Sequence, residues 1–157
     1  MITKIKQLKN TLKEKGIKPT YPRIKILEYL EDNWTHPSAD MIYKIMVKEI
    51  PTASKTTVYN TLEIFQKKGL VSNITITGRE TRFDRNISPH SHFFCERCGK
   101  IIDLDIKCPF FQKGEVSGHK INKLHGCFKG ICSDCLKEER ERINKSPPRK
   151  NFENHKK

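Results

Sequence analysis

Two Cys-x-x-Cys pairs dominate the chemistry that this sequence can support. Their thiols belong to Cys95, Cys98, Cys132 and Cys135. Four thiolates in a tetrahedral arrangement are common ligands of a structural Zn²⁺, and the binding energy of the ion would stabilise a lobe too small for a large core. A redox-active pair of the thioredoxin kind needs one Cys-x-x-Cys in a βαβ context rather than two pairs. The sequence therefore predicts a four-cysteine zinc site.

Two histidines lie immediately before the first cysteine pair, in the segment PHSHFFCERCGK. His90 and His92 are spaced i, i+2, so on a strand both rings point to the same side. With a carboxylate from Asp84, Asp103 or Asp105 they would form an exchangeable site for Fe²⁺, Mn²⁺ or Zn²⁺. The alternative is a surface strand with two exposed imidazoles. Spacing alone does not decide between these two interpretations.

The chain is strongly basic, which makes nucleic acid a candidate partner. Its 157 residues carry a formal net charge of +13, but residues 1–18 and 140–157 each contribute a net +5 of this. The chain has no apolar run long enough to span a membrane, and its N-terminal MITKIKQLKN lacks the apolar segment of a secretory signal. We therefore expect a cytoplasmic protein whose six cysteines are not structural disulfides.

The elements that position these residues fall into two groups. Helical periodicity predicts four helices in the first half, including one capped by Ser38 and one, Ser54–Lys68, capped by Ser54. The segments LVSNITIT and ETRFDR then predict a β-hairpin, and short strands and a charged helix follow. The predicted class is α+β. We expect a winged helix-turn-helix domain over 1–85, a hinge at 86–89, a metal-binding domain over 90–142 and a basic disordered tail over 143–157.

The helix Ser54–Lys68 is the candidate for reading DNA, because the second helix of a helix-turn-helix enters the major groove with its N-terminal residues. Its opening residues are small or can form hydrogen bonds to bases. The candidate DNA contacts are Arg23, Ser54, Lys55, Thr56, Thr57, Tyr59 and Asn60. Arg79, Arg82 and Arg85 lie near the hairpin, where they would contact phosphates as a basic wing or would only be soluble surface.

Several motifs occur together in the order and spacing of the ferric uptake regulator (Fur) superfamily, which the sequence resembles over residues 8–138. They are KPTYPR, HPSADMIY, PTASKTTVYNTLEIFQKKGLV, RFD, HSHFFCERCGKIIDL and GICSDC. The resemblance implies a homodimeric, metal-dependent repressor that binds a palindromic double-stranded operator and no membrane. It implies an N-terminal winged helix and a small C-terminal α/β dimerisation domain. It also assigns the four paired cysteines to structural zinc and Tyr59 to base contact.

The resemblance further implies a regulatory Fe²⁺ or Mn²⁺ site at the hinge. Its ligands would be His36, Asp84, His90, His92 and Asp103. His36 would come from the winged-helix domain and the other four from the boundary or beyond it. A metal with ligands in both domains would favour the closed form, by the difference in its affinity for the two forms.

Aspartate at positions 84 and 103 resembles the peroxide-sensing (PerR-type) members of the family. In these, Fe²⁺ and hydrogen peroxide convert a ligand imidazole to 2-oxo-histidine, the metal is lost and the repressor leaves DNA. The matching positions here are His36 and His90. The manganese form does not respond to peroxide. Iron-uptake members commonly have glutamate at position 84, and an iron- or zinc-responsive repressor of uptake genes is the alternative function.

After Asp105 the sequence departs from the family pattern. The segment CPFFQKGEVSGHK, where the family has its dimerisation helix, is short and contains Pro109, Gly114 and Gly118. A second regulatory site is therefore not expected. His119, His125 and Cys127 are interpreted as surface residues, with a variant of that second site as the alternative, and Cys108 and Cys127 as structural or free thiols.

A third class of function is a zinc enzyme built on His36, His90 and His92 with one open coordination position. Such an enzyme needs a general base and a substrate pocket, and the sequence identifies neither. It would also leave the capped helix Ser54–Lys68 without a purpose. We therefore expect no enzymatic activity.

Overall fold

The computed structural model describes residues 2–75, 80–106, 114–121 and 126–145. The described part opens with helices α1 (Ile2–Glu14), α2 (Tyr21–Asp32), α3 (Ala39–Glu49) and α4 (Lys55–Lys67). An antiparallel pair of strands, β1 (Ser72–Ile74) and β2 (Arg82–Asp84), follows. We call this part, through β2, the helical lobe. The turn of the predicted hairpin, with Arg79, lies outside the described residues.

Hydrogen-bonding side chains fix the starts of α3 and α4. Ser38 Oγ accepts a hydrogen bond from the Met41 amide at 3.3 Å, and Ser54 Oγ accepts one from the Thr57 amide at 3.1 Å. Each bond satisfies an amide that has no partner within its own helix. Both predicted N-caps are therefore confirmed.

The core of the helical lobe is built from the apolar faces of all four helices and is closed by the strand pair. Phe83 of β2 joins it at 7% exposure, so β2 belongs to this lobe by packing as well as by pairing. The helix residues at its centre are Leu8, Leu12, Ile26, Leu27, Ile42, Val58, Leu62 and Phe65. Their spacing is the helical periodicity that the sequence predicted.

The second part, which we call the sheet lobe, contains β3 (Ser91–Cys95), β4 (Ile101–Leu104), β5 (Glu115–Val116), β6 (His119–Lys120), β7 (Gly126–Gly130) and α5 (Ser133–Lys145). β3 is the central strand of its sheet, antiparallel to β4 and parallel to β7. A Cβ at Gly126 would lie 2.8 Å from Ser91 Oγ, so a larger residue there would displace the Ser91 hydroxyl. The predicted α+β class is confirmed.

The described part of CPFFQKGEVSGHK, where the family has its dimerisation helix, is not helical. Residues 115–120 form a hairpin of β5 and β6. Ser117 and Gly118 have φ of 50° and 80°, and positive φ at both central residues suits a tight two-residue hairpin turn. Residues 107–113, with Cys108 and Pro109, lie outside the described residues.

Helix α5 continues to Lys145, so its last three residues fall in the segment predicted as a disordered tail. Residues 146–157 of that segment lie outside the described residues. Among the helices that the structure describes, none combines the length and apolarity needed to cross a bilayer.

Candidate metal centres

The four paired cysteines converge in the sheet lobe. Cys95 Sγ lies 3.9 Å from Cys135 Sγ, and Cys98 Sγ lies 3.8 Å from Cys132 Sγ. A tetrahedral zinc ion with Zn–S distances of about 2.3 Å separates its sulfurs by about 3.8 Å. The spacing of the thiols therefore fits a four-thiolate zinc ion.

Backbone hydrogen bonds and burial shift the pKa values of these thiols. The amides of Cys98 and Cys132 donate to Cys95 Sγ, the latter at 3.3 Å, and these bonds lower the pKa of Cys95 to about 6. Burial raises the pKa of Cys135 to about 12. Arg97 Nη1 donates to the Cys135 carbonyl at 3.0 Å and so joins the first cysteine pair to α5. A bound cation would hold all four as thiolates.

A second cluster lies where the two lobes meet. It joins three imidazoles and two carboxylates whose ligand atoms all lie within 4.8 Å of one another. Its members are His36, Asp84, His90, His92 and Asp103. His36 lies in the connection between α2 and α3, and Asp84 lies on β2. His90 lies in the segment before β3, His92 lies on β3, and Asp103 lies on β4.

The distances within this cluster suit a metal ion. His36 Nε2 lies 2.8 Å from Asp103 Oδ1, and His90 Nε2 lies 3.1 Å from Asp84 Oδ2. His92 Nε2 lies 3.4 Å from Asp84 Oδ2 and 3.6 Å from Asp103 Oδ1. Neighbouring ligands of an ion with bonds of about 2.1 Å are about 3 Å apart. Nitrogen and carboxylate donors suit Fe²⁺, Mn²⁺ and Zn²⁺.

One ligand atom has a free lone pair aimed at the cluster. His90 Nδ1 lies 2.7 Å from the Ser88 carbonyl, which can only accept, so in the neutral imidazole Nδ1 carries the proton and the lone pair is on Nε2. His90 Nε2 is buried without a hydrogen-bond partner, and so is His36 Nδ1. Buried nitrogens without partners are costly in a protein. Coordination by a cation would satisfy His90 Nε2, so the residues present fit a metal ion.

The protonation states also suit coordination. Burial lowers the pKa of His36, against the opposing effect of Asp103 and Asp84. Burial acts to raise the pKa of Asp84, but hydrogen bonds from His92 and from the Asn86 amide outweigh it, so the net shift is downward. Imidazole must be neutral and carboxylate ionised to bind a cation. Both groups are held in those forms.

The cluster is divided between the lobes, with His36 and Asp84 on the helical side. The Phe83 amide donates to the Pro37 carbonyl at 3.0 Å, and Arg82 Nη1 donates to the His36 carbonyl at 3.4 Å. These bonds fix His36 and Asp84 to one another as parts of the helical lobe. The helical lobe therefore supplies two ligand residues and the other three come from β3, β4 and the segment before β3.

Arg82 and Arg85 contact the protein itself, which neither the basic-wing nor the soluble-surface interpretation anticipated. Arg82 also pairs with Glu80 and contacts Met41 Sδ at 3.2 Å. Arg85 donates to the Leu70 carbonyl at 3.0 Å and pairs with Glu31 at 3.2 Å. Both guanidinium groups therefore hold the helical lobe together. The basic side chain of Arg82 gave no sequence signal for its contact with the His36 loop.

Other residues considered from the sequence lie outside both clusters. Asp105 and His119 are exposed, and neither is among the clustered ligands of the described residues. Cys127 is an exposed free thiol on β7. His125 lies outside the described residues.

The start of α4 presents the predicted DNA-reading residues to solvent. Lys55, Thr56 and Asn60 are exposed, and Tyr59 is 49% exposed. Ser54 and Thr57 instead cap the helix through a hydrogen bond between Ser54 Oγ and the Thr57 amide. Arg23 Nη1 donates to the Lys18 carbonyl at 2.9 Å. Lys55 has a partner that the sequence did not identify, Asp40 on α3, at 2.9 Å.

Comparison with known proteins places these features in a family. The model of the ferric uptake regulator family matches residues 14–127. The peroxide operon regulator of Bacillus subtilis strain 168 is 39% identical over 140 residues, which cover 86% of this chain and 95% of that protein. The peroxide-responsive repressor PerR of Staphylococcus aureus strain Mu50 is 42% identical over 133 residues, which cover 80% of this chain and 86% of that protein. The crystal structure of the Campylobacter jejuni peroxide stress regulator superposes with a TM-score of 0.62. The two sequences are 30% identical, and the match covers 83% of this chain and 97% of that one.

Proposed function

The chain belongs to the ferric uptake regulator family, and from this premise we propose that it is a cytoplasmic, homodimeric repressor that binds a palindromic operator and senses hydrogen peroxide. The observation that carries the proposal is the cluster of three imidazoles and two carboxylates shared between the lobes. Relatives at 39% and 42% identity are named for peroxide response, which supports the peroxide-sensing branch.

The divided cluster gives a physical basis for metal-dependent DNA binding. A cation held by both lobes stabilises the closed arrangement by its difference in affinity between closed and open forms. In a dimer, closure would fix the distance between two copies of α4, and two helices at a fixed spacing match two half-sites of a palindrome. Loss of the cation would release that spacing, so the protein would leave its operator.

The four-thiolate site supports a different role. A Zn²⁺ ion there would hold β3 and the start of α5 together through Cys95, Cys98, Cys132 and Cys135. The buried apolar cluster here consists of three of these cysteines, Cys95, Cys132 and Cys135, with Phe93 and Ile102 partly buried against it. Because this core is small, zinc binding supplies folding energy rather than regulation.

The regulatory site would take Fe²⁺ or Mn²⁺. Fe²⁺ bound there supplies the one-electron chemistry that activates peroxide, which Mn²⁺ does not supply. In the overall reaction hydrogen peroxide transfers one oxygen atom to an imidazole carbon and leaves as water, so the ring loses two electrons and becomes 2-oxo-histidine. We propose His36 and His90 as the oxidised residues. Both are shielded from bulk water, His36 at 2% and His90 at 13% side-chain exposure.

The test is anaerobic loading with Fe²⁺, a brief low dose of hydrogen peroxide, and peptide mass spectrometry with a parallel DNA-binding assay. One added oxygen on the peptide holding His36 or His90, with loss of DNA binding, is the expected result. The peptide holding His119, an exposed histidine outside the cluster, is the internal control and stays unmodified. Protein loaded with Mn²⁺ should keep both its mass and its DNA binding.

The alternative within the family is an iron- or zinc-responsive repressor of uptake genes. The same nitrogen and oxygen donors accept Fe²⁺ and Zn²⁺, so the cluster also accommodates this function. Unmodified histidines with persistent iron-dependent DNA binding after peroxide would establish the alternative and reject peroxide sensing.

A further inference from the structure

An ion pair connects the start of the DNA-reading helix to the helix before it. Lys55 Nζ, at the first residue of α4, lies 2.9 Å from Asp40 Oδ1 in the first turn of α3. The same ammonium lies 5.7 Å from the centre of the Tyr43 ring, one turn further along α3, within the range of cation–π attraction. The hydrogen bond to Asp40 also raises the pKa of Lys55. Two groups of α3 therefore hold the Lys55 side chain.

The pair lies beside the residues that would read bases. A groove of about 530 Å³ runs between α4 and the strand pair, and Asp40, Tyr59 and Asn60 all line it. Two further carboxylates line the groove, and each has a cation: Glu63 pairs with Lys67 at 2.6 Å, and Glu80 pairs with Arg82. Asp40 thus places a negative charge at the end of α4 that a DNA phosphate would approach.

We infer that Asp40 is a positioning residue for DNA recognition, which holds the Lys55 ammonium against α3 and thereby lowers the affinity for DNA of arbitrary sequence. Binding to arbitrary sequence depends on phosphate contacts alone. A lysine with a carboxylate partner competes poorly for a phosphate, because the new contact must first separate the existing pair. On an operator, base contacts fix the register of α4, so specific binding depends less on Lys55. This inference rests on the proposed DNA-binding function.

Asp40 also has an ordinary structural role, and the experiment must distinguish this role from the proposed restraint of Lys55. An acidic residue in the first turn of a helix stabilises the helix through its dipole. Loss of that effect would lower the melting temperature without changing how DNA binding depends on salt. The salt dependence therefore distinguishes a residue that restrains Lys55 from one that only stabilises α3.

The experiment compares Asp40→Asn with the parent, both loaded with Mn²⁺. Fluorescence anisotropy at several salt concentrations uses two probes: a fixed duplex of arbitrary sequence, and a duplex that the parent enriches from a randomised pool. The freed lysine should add one phosphate contact per subunit, so the slope of log K against log salt on the arbitrary duplex steepens by about 0.9 per subunit. Affinity for this duplex rises, and the ratio of enriched to arbitrary affinity falls.

Three further variants make the result specific. Asp32→Asn is the matched control, because Asp32 pairs with Lys4 at 2.6 Å with comparable exposure, and it should leave the slope unchanged. Asp40→Glu restores the carboxylate and should behave like the parent. In a Lys55→Gln background, Asp40→Asn should have no effect on the slope.

The possible failures are distinguishable. If the Mn²⁺-loaded parent binds neither duplex, the proposed function fails and this inference fails with it. If the parent binds the enriched duplex but Asp40→Asn has the parent's slope, only the inference is overturned. A slope change that persists in the Lys55→Gln background, or that Asp32→Asn reproduces, would also overturn it.

Discussion

His36 and Asp103 form a direct contact between the two lobes, with His36 Nε2 2.8 Å from Asp103 Oδ1. It is the shortest of the histidine–carboxylate contacts in the cluster. The imidazole belongs to the loop before α3, and the carboxylate belongs to β4 of the sheet lobe. Asp103 also approaches His90 and His92, at 3.3 and 3.6 Å. One carboxylate oxygen therefore meets imidazoles from both lobes.

Asp103→Asn should weaken Mn²⁺ binding by at least about tenfold, because a neutral amide replaces a charged ligand at the point where the lobes meet. Metal-dependent DNA binding should weaken in parallel, while the zinc content stays at one ion per chain. Mn²⁺ titration and elemental analysis measure the two metals. Asp105→Asn is the control, since Asp105 is exposed on the same segment and should bind Mn²⁺ as the parent does. Equal loss of zinc and manganese in Asp103→Asn would show that the two sites are not separate.

Cys98→Ser should lose zinc and unfold the sheet lobe, because three thiolates and a hydroxyl bind Zn²⁺ far more weakly and this lobe has a small apolar core. Zinc analysis and circular dichroism measure the outcome. Cys127→Ser removes an exposed thiol outside the cluster and should change neither. A Cys98→Ser protein that stays folded without zinc would contradict the structural role of the site.

Arg82→Gln should reduce Mn²⁺ affinity by about 10- to 100-fold, the usual effect of losing a group that orients a metal ligand. Arg82 donates to the His36 carbonyl, so its loss frees the loop that carries this ligand. Arg23→Gln is a suitable control, because Arg23 makes the same kind of bond to the Lys18 carbonyl away from the cluster. The arginine would have no orienting role if both variants bound Mn²⁺ equally well.

The pH dependence of stability should depend on His36. Burial lowers the pKa of His36 below 6.5, so below pH 6.5 the unfolded chain binds more protons at this position than the folded chain does. Stability is then lost as the pH falls through this range. His36→Asn lacks the titrating group, and asparagine tolerates the positive φ of 51° found here.

The measurement is the melting temperature of both proteins, with zinc present and the regulatory metal removed, from about pH 7.5 to about pH 5.5. The parent should lose more stability on acidification than His36→Asn does. A difference between them that is independent of pH would mean that the pKa of His36 is not lowered in the folded protein.

Much of the helical lobe could be predicted from local patterns. Ser38 and Ser54 cap helices as expected because capping depends on residues three positions apart. The strands around the hairpin and the convergence of two Cys-x-x-Cys pairs also follow from spacing. These features involve short sequence separations or a metal chemistry that permits few arrangements.

Contacts that the resemblance to the family does not imply could not be predicted. The contact of Arg82 with His36 spans 46 residues, and an arginine beside a hairpin has the same sequence signature whether it faces solvent or the protein. The pairing of Asp40 with Lys55 depends on how α3 crosses α4, which no local pattern specifies. The hairpin at 115–120 was missed because Ser117 adopts a positive φ, which a serine rarely does.

Strand β3 carries His92 and, three residues later, Cys95, so the two metal centres are about 10 Å apart along one strand. This arrangement links the occupancy of one metal centre to the geometry of the other. If zinc binding completes the folding of the sheet lobe, we expect zinc to bind first, because β3 presents His92 to the second site. A chain without zinc would then be unable to respond to the exchangeable metal.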